Sequence, residues 1–189
     1  MLKDIEERLG LRRKVVKPFV RDVDPNLVSV AGLLTAVASA YMLSENFLFT
    51  GAVLVLLSGF LDVLDGEIAK EYGTSDLGDL IDHTFDRISD IAILLGLAFN
   101  PFVPVYLGTF AIVAVLLVSY MGTQAQALLD QRNYGGLVGR ADRMVIITLV
   151  SLVAVRYVDA LVYGLWFIVL VSVLTFLQRF VYSYRNLRK

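Results

Sequence analysis

The sequence predicts an all-α integral membrane protein, with six transmembrane helices preceded by an amphipathic juxtamembrane helix. Of its 189 residues, 57% are hydrophobic, and the mean hydropathy is +0.70. Soluble domains are nearer half apolar. Here the excess is gathered into blocks of about 20 residues, the length that crosses a bilayer as a helix. Positive charge is placed just as unevenly. All but Arg156 of the 17 Lys and Arg fall in the N-terminal segment, in or beside the connections between spans two and three and spans four and five, or towards the C-terminus. The positive-inside rule then puts both termini and an acidic stretch at residues 62–87 on the cytoplasmic face. An even number of spans agrees with that.

Residues 1–24 carry seven Lys and Arg, among which Leu2, Ile5, Leu9, Val16, Phe19 and Val20 recur at roughly helical spacing. The pattern predicts a helix lying in the membrane interface; a partly ordered charged tail is the alternative. No continuous apolar run marks a secretory signal there. The first span is expected from Asn26 to Leu43, entered through Asp24-Pro25-Asn26, where proline suits a helix start. The second runs from Phe47 to Lys70 and breaks at Tyr72-Gly73-Thr74-Ser75. The third begins near Asp76 and continues to Phe99, ended by Asn100-Pro101. The fourth covers Phe102 to Leu129, the fifth Arg143 to Tyr157 and the sixth Ala160 to Tyr184. Connections are short, and no repeat or low-complexity linker divides the chain. Residues 1–189 therefore read as one membrane domain, with its bundle at 26–184.

Composition also excludes several functions. A net charge of −1 provides no basic field for nucleic acid. The chain has no cysteine, which removes disulfide and thiolate chemistry. His83 is the sole histidine, so a cluster of histidine ligands of the kind zinc enzymes use cannot form.

The acidic stretch is the main clue to function. Asp62 and Asp65 are spaced i, i+3 at the end of the second span; Asp82 and Asp86 are spaced i, i+4 near the start of the third. Each pair projects from one face of its helix. A short connection makes the two helices antiparallel neighbours, so the pairs can converge. Four carboxylates in one partly dehydrated pocket repel one another, and a hard divalent cation (Mg²⁺, Mn²⁺ or Ca²⁺) relieves that repulsion. Gly66 and Gly78 let a bulky ligand approach the backbone, and Ala69 beside Lys70 keeps the same face shallow. A metal, small residues and a cation together suit a diphosphate. Asp62 lies within the run Leu56-Leu57-Ser58-Gly59-Phe60-Leu61, where an ionisable group points to function. Asp76 and Asp79 are read as first-turn acids favoured by the helix dipole. Glu67 and Glu71 are read as facing water, and His83 as facing away from Asp82 and Asp86.

The run Asp62-x-x-Asp65-Gly66-x-x-Ala69-Lys70, followed by Gly78-x-x-x-Asp82-x-x-x-Asp86, resembles the signature of the CDP-alcohol phosphatidyltransferase family. The likeness extends more loosely from Pro25-Asn26 through the sixth span. Lys70 stands where the family usually has Arg, and the segment from there to Gly78 is one residue shorter than usual. Lysine keeps the charge and loses the bidentate fork. The resemblance implies a six-helix membrane enzyme, a homodimer, that moves a phosphatidyl-type group from a CDP-lipid to an alcohol and releases CMP. It implies that Asp62, Asp65, Asp82 and Asp86 hold Mg²⁺ or Mn²⁺, one ion or more often two, on the donor diphosphate. Asp86 would also accept the proton of the acceptor hydroxyl, although a carboxylate there could instead only position it. Gly66, Lys70 and Ser75 match positions that contact the nucleotide, with Asn26 and Ser29 near another, and Ala69 and Gly78 belong to the same surface.

The acceptor end is expected on the same side of the membrane, where Arg132, Arg140 and Arg143 approach span five and Arg179 interrupts the apolar end of span six. Arginines at the mouth of a membrane cavity can grip a phosphate bidentately; they also serve as topology anchors that reach up to headgroups. "GTQAQA" and "YGGLVGRADR" are similar to the archaeal inositol-phosphate branch of the family. In that branch's bacterial relatives, positions matching Arg143 and Arg179 grip inositol phosphate. A lysine of those relatives is replaced here by Gly122, with Gln124 nearby. The resemblance thus implies L-myo-inositol 1-phosphate as acceptor and CDP-archaeol as donor, with CDP-diacylglycerol as the other donor. Glycerol 3-phosphate is the alternative acceptor. A divalent-cation transporter would also place aspartates inside spans, but the outer half of this bundle has almost no polar ladder.

Overall fold

A computed structural model describes residues 16–129 and 135–188 of the protein. Among them are six α-helices and no strand: α1 (Pro25–Ser44), α2 (Leu48–Tyr72), α3 (Asp76–Ala98), α4 (Val105–Leu129), α5 (Arg140–Ala154) and α6 (Ala160–Leu187). Four of them, α1, α2, α4 and α6, are long and apolar enough to cross a membrane. The third helix falls short because Asp82, Asp86, Arg87 and Asp90 interrupt it, and α5 because it has only 15 residues.

Capping chemistry explains where the helices begin and end. Asp24 accepts a hydrogen bond from the Asn26 N–H at 2.9 Å ahead of Pro25, the first helical residue. Ser75 Oγ accepts from the Gly78 N–H at 3.0 Å and opens α3. Gly73, with φ of 129°, makes the turn out of α2 that a side chain would oppose. Two starts differ from the sequence expectation by three residues. The fifth helix begins at Arg140 rather than Arg143, because the Asp142 carboxylate accepts from the Gly139 N–H at 2.8 Å and secures an extra first turn. The fourth begins at Val105 rather than Phe102, because Asn100 Oδ1 accepts from the Phe102 N–H at 3.0 Å and holds the preceding residues in a turn.

The packing also corrects one expectation. The second and third helices are joined by a short connection but barely touch; both pack against α1, which lies between them. Small residues allow that close approach. A Cβ on Gly96 of α3 would collide with the Ala40 backbone of α1, and Gly32 of α1 lies against Leu61 and Ser58 of α2. Polar groups are paired across the same contacts: Ser58 Oγ donates to the Gly32 carbonyl at 3.0 Å and Ser39 Oγ to the Gly51 carbonyl at 3.2 Å. At the far end Asn100, buried, donates to the Leu43 carbonyl at 2.7 Å. Small residues and interhelical hydrogen bonds are the usual cement where lipid removes the hydrophobic drive.

Beyond that axis α4 packs on α6, α3 on α4, and α5 against α2 and α6. A continuous core of Val55, Ile93, Leu107, Ile147, Leu165 and their neighbours fills the interior. The outer surface is apolar too: Leu34, Phe49, Leu56, Phe110, Leu149 and Phe167 are all exposed. A belt of that size suits lipid rather than water. Of the expected juxtamembrane helix, residues 1–15 lie outside the described residues. Its end is a short 3-10 turn at Lys17–Phe19, docked on α2 through buried Val16 against Leu64 and Ile68 and an edge-on contact of Phe19 with Phe60.

Candidate active site

The acids meet at one end of the bundle around a narrow cavity that also takes in Ser29, Ser58, Phe85 and Ser89. Asp62 and Asp65 reach it from the last turns of α2, and Asp82 and Asp86 from the first turns of α3. Asp65 is 4% exposed and accepts from Ser29 Oγ at 2.6 Å. Ser29, expected beside the nucleotide, therefore spends its hydroxyl on an acid. One carboxylate oxygen each from Asp62, Asp65 and Asp82 lies within 4.8 Å of the others. Three hard oxygens so close suit Mg²⁺ or Mn²⁺ and leave nothing that favours a soft metal. The donor set therefore fits the divalent ion that the sequence motif implies.

Asp86 is held differently. One nitrogen of Arg140, Nη1, pairs with Asp62 Oδ1 and lies 2.6 Å from Asp86 Oδ1, bridging α2 to α3. Arg87 Nη1 approaches the other Asp86 oxygen at 3.4 Å. Arg140, expected at an acceptor phosphate, is here the counter-charge of the acids themselves. Its place follows from the early start of α5, which sets it in the first helical turn facing α2.

His83 does not face away. Its Nε2 lies 3.1 Å from Asp79 Oδ1 and its Nδ1 3.4 Å from Asp82 Oδ2. Successive helix residues are about 100° apart, not opposite, so the ring can curl onto its neighbour. Glu67 likewise does not simply face water: it is half-buried and accepts from Lys70 Nζ at 2.6 Å. Glu71, Asp76 and Asp79 are exposed.

One residue of the site was missed by the sequence reading. Asp90, 3% exposed, accepts from Arg143 Nη2 at 2.6 Å and lies 3.5 Å from Arg140 Nε. It continues the Asp82–Asp86 spacing by one more i+4 step, a signal hidden by the apolar residues that follow it. Arg143 is 4% exposed and committed to this pair. Burial of an unpaired aspartate or arginine is costly, which explains why the two occur together.

The residues expected around the nucleotide fall into two groups. An added Cβ on Gly78 would come within 3.1 Å of Ser75 Oγ and 3.7 Å of Asn26 Oδ1, so these three share one corner. Gly66 faces open space, with no protein atom within 4 Å of an added Cβ. Ala69 is half-buried behind it, and Lys70 is exposed and turned onto Glu67. At the acceptor end, Arg179 donates from Nε to the Gly135 carbonyl and from Nη1 to the Val118 carbonyl, both at 2.8 Å. Its guanidinium thus ties α6 to the middle of α4 and to the chain entering α5. Gln124 is half-buried on α4, and Arg132 lies outside the described residues. A separate hollow of about 420 Å³ opens at the opposite end near Phe47, Phe102 and Arg156, and no carboxylate lines it.

Fold and site together define an all-helical, membrane-suited protein with a carboxylate cluster built for a hard cation at one end of its bundle. Residues 23–178 match the profile of the CDP-alcohol phosphatidyltransferase family. The chain belongs to that family and is a transferase, which sets aside the cation-transporter alternative. It is 30% identical over 196 residues to archaetidylinositol phosphate synthase of Methanothermobacter thermautotrophicus, covering 97% of each chain. Its fold is similar to the crystal structure of Mycobacterium tuberculosis phosphatidylinositol phosphate synthase with CDP-DAG bound, with a TM-score of 0.76, 28% identity and coverage of 93% and 92% of the two chains. The same enzyme in complex with manganese and citrate matches with a TM-score of 0.76, 28% identity and coverage of 93% and 88%.

Proposed function

We propose that this protein transfers a phosphatidyl-type group from a CDP-lipid to L-myo-inositol 1-phosphate and releases CMP. The observation that carries the reading is the juxtaposition of the Asp62, Asp65 and Asp82 oxygens, within 4.8 Å of one another, with the open backbone at Gly66 beside them. A diphosphate needs both features: a cation partner and a surface without side chains. The acceptor is supported by the names of the relatives, both inositol phosphate synthases. CDP-archaeol as donor is supported by the archaeal relative, and CDP-diacylglycerol by the bacterial complex with CDP-DAG.

In this reading Asp62, Asp65, Asp82 and Asp86 hold Mg²⁺ or Mn²⁺, two ions per site; the manganese complex of the bacterial relative supports the choice of metal. Bound there, the ions supply neutralisation of the charge that develops on the leaving phosphate. Gly66, Ala69, Lys70, Ser75, Gly78 and Asn26 form the floor for the nucleotide. Asp86 takes the proton of the acceptor hydroxyl as its oxygen bonds to the lipid-bearing phosphorus and the bond to CMP breaks. Arg179, with Arg132 and Gln124, lies at the acceptor-phosphate end, while Arg143, paired with Asp90, and Arg140, paired with the acids, lend it positive charge from beside. The whole chain forms one membrane domain of six spans with both termini and the acidic end in the cytoplasm, as the distribution of Lys and Arg supports. It works as a homodimer.

The direct test is CMP release from detergent-purified protein given one CDP-lipid, Mg²⁺ or Mn²⁺, and a panel of acceptors. Inositol 1-phosphate should give the highest kcat/KM. A higher value with glycerol 3-phosphate would reassign the acceptor, and no release with any phosphorylated polyol would remove the reading.

A further inference from the structure

Arg140 stands where a metal ion would be expected. Its Nη1 pairs with Asp62 Oδ1 from α2 and with Asp86 Oδ1 from α3 at once. A nitrogen bridging these two oxygens and an ion bridging the same two cannot both be there. Asp62, Asp65 and Asp82 still bring one oxygen each within 4.8 Å without help from Asp86. The acids therefore divide into the Asp62–Asp65–Asp82 group, which lends Asp62 Oδ1 to the guanidinium and keeps its other carboxylate oxygens for an ion, and an Asp86 end that the same guanidinium holds.

The guanidinium has a second berth. Arg140 Nε is buried without a hydrogen-bond partner, and so is Oδ1 of Asp90. The two atoms face each other at 3.5 Å, an ion pair a few tenths of an ångström short of a good hydrogen bond. Buried donors and acceptors left unmade are costly, and this matched pair of opposite charge can be satisfied by one small movement of Arg140 away from Asp86. Asp86 and Asp90 lie one helical turn apart on the same face of α3, so the movement runs along the helix rather than across the bundle.

We propose that Arg140 is an exchangeable internal cation. A first divalent ion takes the Asp62–Asp65–Asp82 group, and a second binds at Asp86 only as Arg140 passes to Asp90. Asp90 is then a positioning residue for two arginines, and loading of the second ion rearranges the carboxylate on which Arg143 rests. This rests on the metal reading of the proposed function.

The experiment is Mn²⁺ binding to the full chain in detergent, without nucleotide or acceptor, followed by calorimetry and by electron paramagnetic resonance. Wild type should bind one ion more tightly than a second. Arg140→Gln should tighten the second ion by about ten-fold or more, the scale of a close charge pair, and the first, which shares Asp62 with Arg140, by clearly less. Arg140→Lys should restore the separation, and Asp90→Asn should weaken the second ion. If Arg140→Gln leaves the second affinity unchanged or lower while the first ion still binds, the exchange is overturned. A measurement on unmutated protein covers the case of a misfolded variant. The Arg140 Nε–H resonance, identified by its loss in Arg140→Lys, should move further with the second equivalent of Mg²⁺ than with the first. A larger movement with the first equivalent, or none with either, overturns the proposal. Failure of wild type to bind any ion would instead remove the metal reading beneath it.

Discussion

Asp86 is gripped on one oxygen by Arg140 and approached on the other by Arg87, an arrangement that would orient the carboxylate for the proton-accepting role proposed for it. Asp86→Asn keeps the shape and loses the proposed proton acceptor. CMP release should fall by roughly 10²–10⁴-fold, with helicity by circular dichroism unchanged. Gly66→Val tests the other half of the site. Its Cβ would meet no protein atom within 4 Å, so thermal stability in detergent should largely hold while the KM for CDP-lipid rises. Arg143→Met leaves Asp90 buried with a weakened partnership and should cost about 3–5 kcal/mol in detergent unfolding; pairing it with Asp90→Asn should recover part of that. These residues differ in how plainly the sequence announces them. Asp62 was legible because an ionisable group inside an apolar run needs a reason. Asp90 was not, since its partner Arg143 is 53 residues away and no local pattern joins them. Nor could spacing show that Arg140 turns onto the acids, because that depends on where α5 meets α2.

At the scale of elements, the boundaries were legible wherever a cap was local: Asp24 before Pro25, and Ser75 three residues before Gly78. They slipped by three residues where the cap reaches back, as Asp142 does to Gly139. Adjacency was harder to read. The second and third helices follow one another in the chain, yet α1 separates them, and the small residues that decide this sit on a helix without notable charge. Gly96→Val drives a side chain into the Ala40 backbone and should destabilise the protein by about 1–3 kcal/mol. It should also reduce activity by tilting α3 with its acids. Gly59→Ala is the matching control, because its Cβ would find only Met144 at 3.6 Å. Melting curves in detergent should separate the two variants clearly.

At the scale of the molecule, hydropathy and the uneven placement of Lys and Arg made an all-helical membrane bundle legible before any coordinates. Sidedness is open to a clean test because the chain has no cysteine. A membrane-impermeant maleimide should label Thr74→Cys only in inside-out vesicles and Tyr157→Cys only in right-side-out ones. Chelation by EDTA should abolish CMP release, and Mn²⁺ or Mg²⁺ should restore it. One further consequence follows from the length of α5. Fifteen residues make a helix of about 22 Å, whereas the hydrocarbon of a bilayer is about 30 Å thick. On the proposed six-span reading α5 falls about 8 Å short of the hydrocarbon, and thinning of the bilayer beside it would bring headgroups toward the end that carries Arg140. The acceptor proposed above could then meet the proposed CDP-lipid in a shallow basin of the leaflet, and the hydrocarbon chains of that lipid would never have to leave the oil.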